Sequence, residues 1–270
     1  MSAIRRLTFG GTNRFPVWSA DGRDLAFQSD RDGDRAVFLQ QADISGTVAE
    51  RLTKPEQGSS HIPESWSPQG DVLPYSVFSD RSRRFTLSAF SIRDKRPHAF
   101  QGIESTLPLA SGFSPDGRWL SYNVSDARVG PAQSTVFVEP FPVTGAKYQV
   151  SESRRGFHPV WLPDGRGLSY STGIGPQGPQ WVVVRVTLQP RFAVGGVVKV
   201  PNGGLVDSVP SGPVNERNYD FTPDRKCIGL LPAERSVGLF ATDPGFTTRS
   251  IPIQVVLNWF DELRERVPTQ

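Results

Sequence analysis

Trp18-Ser19-Ala20-Asp21-Gly22-Arg23-Asp24-Leu25-Ala26-Phe27 recurs in altered form four more times along the chain. The second copy is Trp66-Ser67-Pro68-Gln69-Gly70-Asp71-Val72-Leu73-Pro74-Tyr75, and the third is Phe113-Ser114-Pro115-Asp116-Gly117-Arg118-Trp119-Leu120-Ser121-Tyr122. Trp161-Leu162-Pro163-Asp164-Gly165-Arg166-Gly167-Leu168-Ser169-Tyr170 follows, and Phe221-Thr222-Pro223-Asp224-Arg225-Lys226-Cys227-Ile228-Gly229-Leu230 is a weaker fifth. The leading aromatics are 48, 47, 48 and 60 residues apart. A fixed period of this length marks a repeat architecture.

Each copy reads as a hairpin. The aromatic ends one strand, Pro presets φ in the turn, Gly takes a positive φ, and an alternating strand runs to a second aromatic. Further β-rich segments follow at Ala36–Leu39, Phe85–Leu87, Thr135–Val138 and Trp181–Val184. Short closing strands are expected at Glu50–Thr53 and Val197–Val200. Helical periodicity is absent from these runs. Four antiparallel strands per repeat describe the blade of an all-β β-propeller. One domain is expected over residues 1–270, with blades at about 15–55, 60–103, 107–153, 156–202 and 216–260.

Arg6-Leu7-Thr8 repeats Arg51-Leu52-Thr53, each ahead of a Trp-Ser pair. Residues 4–9 are therefore expected to supply the outermost strand of the last blade and close the ring, which removes an exposed sheet edge. Five blades are favoured. Strands at both Val237–Phe240 and Ile253–Leu257 would permit a degenerate sixth.

The 26 Gly and 24 Pro are spread along the chain, as a many-turned protein requires. Lys+Arg 30 against Asp+Glu 27 leaves a small basic excess with no run of five basic residues, so nucleic-acid binding is not expected. The densest basic patch, Arg81-Ser82-Arg83-Arg84, reads as solvated surface. A single cysteine, Cys227, excludes an intrachain disulfide and sits in an apolar run as a small hydrophobe. No apolar stretch reaches membrane-spanning length, and Met1–Leu7 lacks a signal-peptide apolar region. A chain that stays in the compartment of its synthesis is expected.

The repeat, together with Ser29-Asp30-Arg31-Asp32-Gly33, resembles the TolB-like propeller repeat over nearly the whole chain. The region from Asn218-Tyr219-Asp220 to Asn258-Trp259-Phe260-Asp261-Glu262-Leu263 is similar to the end of propellers that bacterial proteins join to a serine/threonine kinase or a DNA-binding domain. The resemblance implies a sensor or docking module and often a periplasmic setting. It does not imply kinase activity, because no Gly-rich phosphate loop, His-Arg-Asp or Asp-Phe-Gly motif occurs.

No catalytic centre is legible. The nearest string to a Gly-x-Ser-x-Gly elbow, Gly112-Phe113-Ser114-Pro115-Asp116-Gly117, is already a repeat turn. Asp30-Arg31-Asp32-Gly33-Asp34 alternates carboxylates as a calcium loop does, but lacks the distal Glu and reads as a hairpin turn. Of the histidines, His61 and His158 precede repeat aromatics on the expected innermost strands, where a metal would need them to converge. They read instead as channel-lining polar residues. A propeller's concave surface is its central funnel. The residues expected to face it are Arg14, His61, Glu64, Arg155, His158 and Asn218, a mixed, slightly basic set suited to a small anion or an acidic peptide.

These features predict a monomeric, non-enzymatic module that binds a protein or peptide, without cofactor or membrane insertion. The rival expectation is a propeller hydrolase or lyase with a divalent metal at the channel mouth.

Overall fold

The computed structural model describes residues 7–42, 48–126, 133–152, 155–175, 178–189, 191–200, 219–221 and 227–229. The chain divides into two units, Gly10–Ala233 and a second that joins Met1–Phe9 to Glu234–Gln270. Every described strand lies in the first unit. Among the described residues there is no helix.

Sheet one contains β1 (Asn13–Trp18), β2 (Asp24–Ser29), β3 (Ala36–Gln41) and β4 (Glu50–Arg51). Sheet two contains β5 (Ser59–Pro63), β6 (Val72–Ser79), β7 (Arg84–Ser91) and β8 (Arg96–Ser105). Sheet three contains β9 (Gly112–Phe113), β10 (Trp119–Ser125), β11 (Ser134–Pro140) and β12 (Tyr148–Gln149). Sheet four contains β13 (Phe157–Trp161), β14 (Gly167–Gly175), β15 (Gly178–Thr187) and β16 (Ala193–Val200). A two-stranded sheet five, β17 (Tyr219–Phe221) with β18 (Cys227–Gly229), follows. In each four-stranded sheet consecutive strands are neighbours, and every strand pair is antiparallel. This is the meander of a β-propeller blade. The pairing expected between residues 4–9 and the last blade, and the choice between five and six blades, fall largely outside the described residues.

The turn after the leading aromatic is built by its own side chains. The Ser19 hydroxyl donates to Asp21 Oδ1 at 2.6 Å and accepts from the Asp24 N–H at 2.9 Å. Ser114 repeats this with Asp116 and the Trp119 N–H, and Ser67 does so with Asp71 and the Val72 N–H. The Gly that completes the turn sits at φ +70 for Gly22 and +71 for Gly117, a region that residues with a Cβ enter at a cost. In the fourth copy Leu162 replaces the serine, and the backbone bond from the Gly165 N–H to the Leu162 carbonyl, 2.9 Å, holds the turn.

Hydrophobic residues pack between sheets, not within one. Ala26, Val37 and Leu52 of sheet one and its exit meet Trp66, Leu73, Tyr75 and Phe90 at sheet two. Leu87, Ala89, Phe100 and Ile103 of sheet two meet Leu109, Phe113, Leu120 and Tyr122 at sheet three. Val136, Val138 and Val150 meet Trp161, Leu168, Tyr170 and Val184 at sheet four. Trp181 of sheet four stacks on Tyr219 of sheet five, with ring centroids 4.9 Å apart.

The repeat tryptophans join these layers. The Trp66 indole N–H donates to the Val17 carbonyl and the Trp161 indole N–H to the Gly112 carbonyl, both at 3.1 Å. In each case the acceptor directly precedes the leading aromatic of the previous copy. Trp66 and Trp161 are buried, while Trp18, which opens the first sheet, is half-buried. One difference from the sequence reading is local: β5 ends at Pro63, three residues before Trp66, although the Glu64 N–H still donates to the Pro74 carbonyl of β6 at 3.0 Å.

Trp161→Phe keeps one six-membered ring but loses the pyrrole half and its hydrogen bond, so it is expected to destabilise by about 1–3 kcal/mol. Trp161→Ala also empties the space between sheets three and four and is expected to cost about 3–5 kcal/mol. Urea unfolding of the two variants checks this order.

Candidate functional site

The described candidate residues lie on or beside the first strands of sheets one, two and four: Arg14 on β1, His61 on β5 with Glu64 just after it, and His158 on β13 with Arg155 just before it. Arg14 lies on β1 opposite Gln28 and is exposed. Arg155 is exposed just before β13, where it forms a parallel bridge with Ser134. Asn218 lies outside the described residues. β1 and β13 both contain a register shift, between Arg14 and Val17 and between Phe157 and Val160. Phe15 and His158, three residues before their leading tryptophans, have φ +55 and +52, and Ala110 before Phe113 has φ +48.

The bend at His158 is held by the sheets on both sides of it, and His61 is tied to the sheet before it. His158 donates its N–H to Asn123 Oδ1 at 3.0 Å, and its carbonyl accepts from the Tyr219 hydroxyl at 2.7 Å. The His61 carbonyl accepts from Gln28 Nε2 at 2.8 Å, and its N–H donates to the Arg35 carbonyl at 2.9 Å. His61 is thus tied to sheet one, and His158 to sheets three and five. The two histidines occupy different interfaces.

Glu64 belongs to a third interface. Its Oε1 accepts from the Ser76 hydroxyl and, at 3.1 Å, from the Leu109 N–H, while Oε2 accepts from the Ser111 N–H at 2.7 Å. Three donors hold this carboxylate across sheets two and three. The partners that do this work are Gln28, Ser76 and Asn123, each ten residues after a leading aromatic. All three are buried. A polar residue recurring directly after the second aromatic of each of the first four copies was the available signal in the sequence, and the candidate set did not include it.

The carboxylates of the Asp30–Asp34 turn are also engaged. Asp30 Oδ1 accepts from the Thr12 N–H at 2.6 Å, which holds its carboxyl below the usual range. Asp32 and Asp34 both pair with the Arg51 guanidinium. Among the described residues no group of three or more His, Cys, Asp or Glu is placed to hold a metal.

His61 is the most perturbed basic group. It is buried, its ring lies 5.0 Å from that of Tyr75, and Nδ1 has no hydrogen-bond partner. Burial pushes the imidazole down to about 4, and the Arg51 charge adds to this while Asp34 opposes it. The side chain is therefore neutral at pH 7. It lines a cleft of about 1040 Å³ with Tyr75, Val77, Thr86, Ser88 and Phe90. Burial holds the Tyr75 phenol above its ordinary range, partly opposed by a hydrogen bond with Ser88.

No protein-family model matches the chain. Its architecture is that of the β-propellers. A search of solved structures finds a putative TolB from Agrobacterium tumefaciens at a TM-score of 0.54 and 18% identity, covering 72% of this chain and 66% of that one. A gluconolactonase from Xanthomonas campestris aligns at a TM-score of 0.50 and 14% identity, covering 82% of this chain and 70% of that one. The chain is also 29% identical over 161 residues to the uncharacterized peptidase YuxL of Bacillus subtilis, 59% of this chain but only 22% of that protein. The fold is thus TolB-like, and it is shared with an enzyme.

Two outcomes follow from the site. Glu64→Ala leaves the Leu109 and Ser111 N–H groups without their acceptor and is expected to cost about 2–3 kcal/mol in urea unfolding, with Glu64→Gln costing less. In the unfolded chain His61 titrates near its ordinary 6.5, above its folded value of about 4. Protonation then favours the unfolded state, so His61 lowers stability as pH falls from about 6.5 towards 4, by at most roughly 3 kcal/mol. The difference in unfolding free energy between wild type and His61→Gln, measured from pH 7 to pH 4, should narrow by that amount if the wild type is the more stable at pH 7.

Proposed function

We propose that the chain is a non-enzymatic docking or sensor module that binds an acidic protein or peptide segment along the first strands of its sheets. One observation carries this reading. Glu64, the acidic member of the candidate set, has both oxygens filled by Ser76, Leu109 and Ser111. The exposed charges of that set are then the cations Arg14 and Arg155. Exposed guanidiniums on a rigid sheet suit bidentate recognition of carboxylates. The resemblance of residues 218–263 to propellers joined to kinase or DNA-binding domains supports a sensor or docking role.

The test compares wild type with the double variant Arg14→Glu, Arg155→Glu in affinity capture from the native host. A partner retained at least tenfold better by the wild type is expected, and that retention should weaken as salt rises. Equal recovery by both proteins would sink the reading. So would a stoichiometric divalent metal in the purified protein accompanied by hydrolase or lyase turnover, which would establish the rival enzyme.

A further inference from the structure

Two aromatic residues of sheet three stand only half-buried. Trp119 opens β10, six residues after its leading aromatic, and Tyr148 opens β12. The register sets Tyr148 opposite Val138, and Val138 opposite Ser121. The residues equivalent to Trp119 in the other four-stranded sheets are Asp24, Val72 and Gly167. Those equivalent to Tyr148 are Glu50, His98 and Val198. Sheet three thus carries two rings where none of the other three does, and where sheet one has two carboxylates.

The two rings lie 6.0 Å apart with their planes at 68°. Phe192, 6% exposed, contacts both, at 5.1 Å from Trp119 and 4.9 Å from Tyr148. The cluster packs inward against the core between sheets three and four. Its outer surface therefore belongs to Trp119 and Tyr148, and each places a polar atom there. Among the described residues neither Trp119 Nε1 nor Tyr148 Oη has a hydrogen-bond partner, and neither atom is buried, so both meet solvent. In Trp66 and Trp161 the same indole atom is bonded across a seam. The carboxylates at this end of the sheet are engaged. Asp116 accepts from the Ser114 hydroxyl and from Arg118 Nε, and Glu139 accepts from the Tyr122 hydroxyl. The pair offers aromatic surface and two donors, with the neighbouring carboxylates already used.

We propose that Trp119 and Tyr148 bind a proline-rich segment of a partner protein in its polyproline helix. Proline brings a carbonyl acceptor and no backbone N–H, the complement of a surface that offers donors. A polyproline helix makes no internal hydrogen bonds, so its carbonyls are free to accept from the indole and the phenol. Its rings pack on aromatic side chains, and its preformed backbone loses little entropy on binding, which suits a surface of only two rings. A sugar also packs on aromatic rings, but its hydroxyls donate as well as accept and need the acceptors that Ser114, Arg118 and Tyr122 occupy. Trp119 and Tyr148 lie at the end of the sheet where first strands finish, whereas Arg14 and Arg155 lie where first strands begin. This inference and the docking proposal therefore stand or fall separately.

The experiment titrates the full chain with capped hexaproline, with a capped Gly-Ser repeat of the same length and with maltohexaose, by ligand-observed NMR. The indole N–H signals of isotope-labelled protein are followed in parallel. Hexaproline is expected to bind at least tenfold tighter than the Gly-Ser peptide and to shift the Trp119 indole signal, which is assigned by its absence from Trp119→Phe. Tyr148→Phe keeps the ring and loses the hydroxyl, and should weaken hexaproline binding by about fivefold, the effect of one ordinary hydrogen bond. Trp119→Phe loses the donor and half of the ring system, and should weaken it by fivefold or more. Tyr148→Glu, which copies sheet one, should weaken it by tenfold or more. Equal affinity for hexaproline and the Gly-Ser peptide overturns the site, as does hexaproline binding unchanged in both Phe variants. Maltohexaose bound more tightly than hexaproline overturns the peptide as its ligand.

Discussion

Every sheet of this propeller depends on its neighbour for a buried face. A single repeat sheet cannot bury its own apolar face, which alone would stay in contact with water. Packing sheet against sheet covers that face, but it also buries backbone groups at the bent ends of the first strands. An unpaired buried amide costs about as much as a lost hydrogen bond. The structure answers with a polar contact at each interface: Gln28 to His61, Glu64 with Ser76 to Leu109, and Asn123 to His158. At Trp66 and Trp161 the indole adds a second bond across the seam. Apolar packing and polar satisfaction are therefore placed together, and either alone would leave the interface incomplete.

The parts of this arrangement that were legible in the sequence are the local ones. The turn after each leading aromatic is specified through bonds within six residues, so its Pro and Gly could be read from the sequence, while the serine that braces it was not singled out. The fixed interval between aromatics then placed the strands. Positive φ at Phe15, Ala110 and His158 was not legible, because none of these residues favours that conformation by itself. Bonds such as those from Asn123 and Tyr219 to His158 hold it, and those partners come from other copies. The conformation belongs to the assembled interface and not to the segment.

The same distinction explains the candidate residues. Position on a first strand identified Glu64 and His61 as polar groups in an unusual place, but not what they meet. Glu64 satisfies two amides around Leu109, more than forty residues away. His61 keeps one ring atom unsatisfied. From the sequence the two looked alike. The difference arises from what the next copy presents, which a single hairpin does not encode.

Comparing copies recovers some of that information. In a repeat protein each sheet tests how the others fill an equivalent position. Phe38, Phe137 and Val182 show that the site opposite the second aromatic holds a bulky apolar side chain in three sheets. A serine there forgoes contacts that a larger side chain would make, since close-packed interiors gain from every filled volume. A buried histidine next to that gap, with a nitrogen unmatched, adds a second local loss. These are two adjacent departures from the packing that the other copies show, and each forgoes a stabilising contact. Ser88 and His61 are positions in this chain where the repeat itself supplies that comparison.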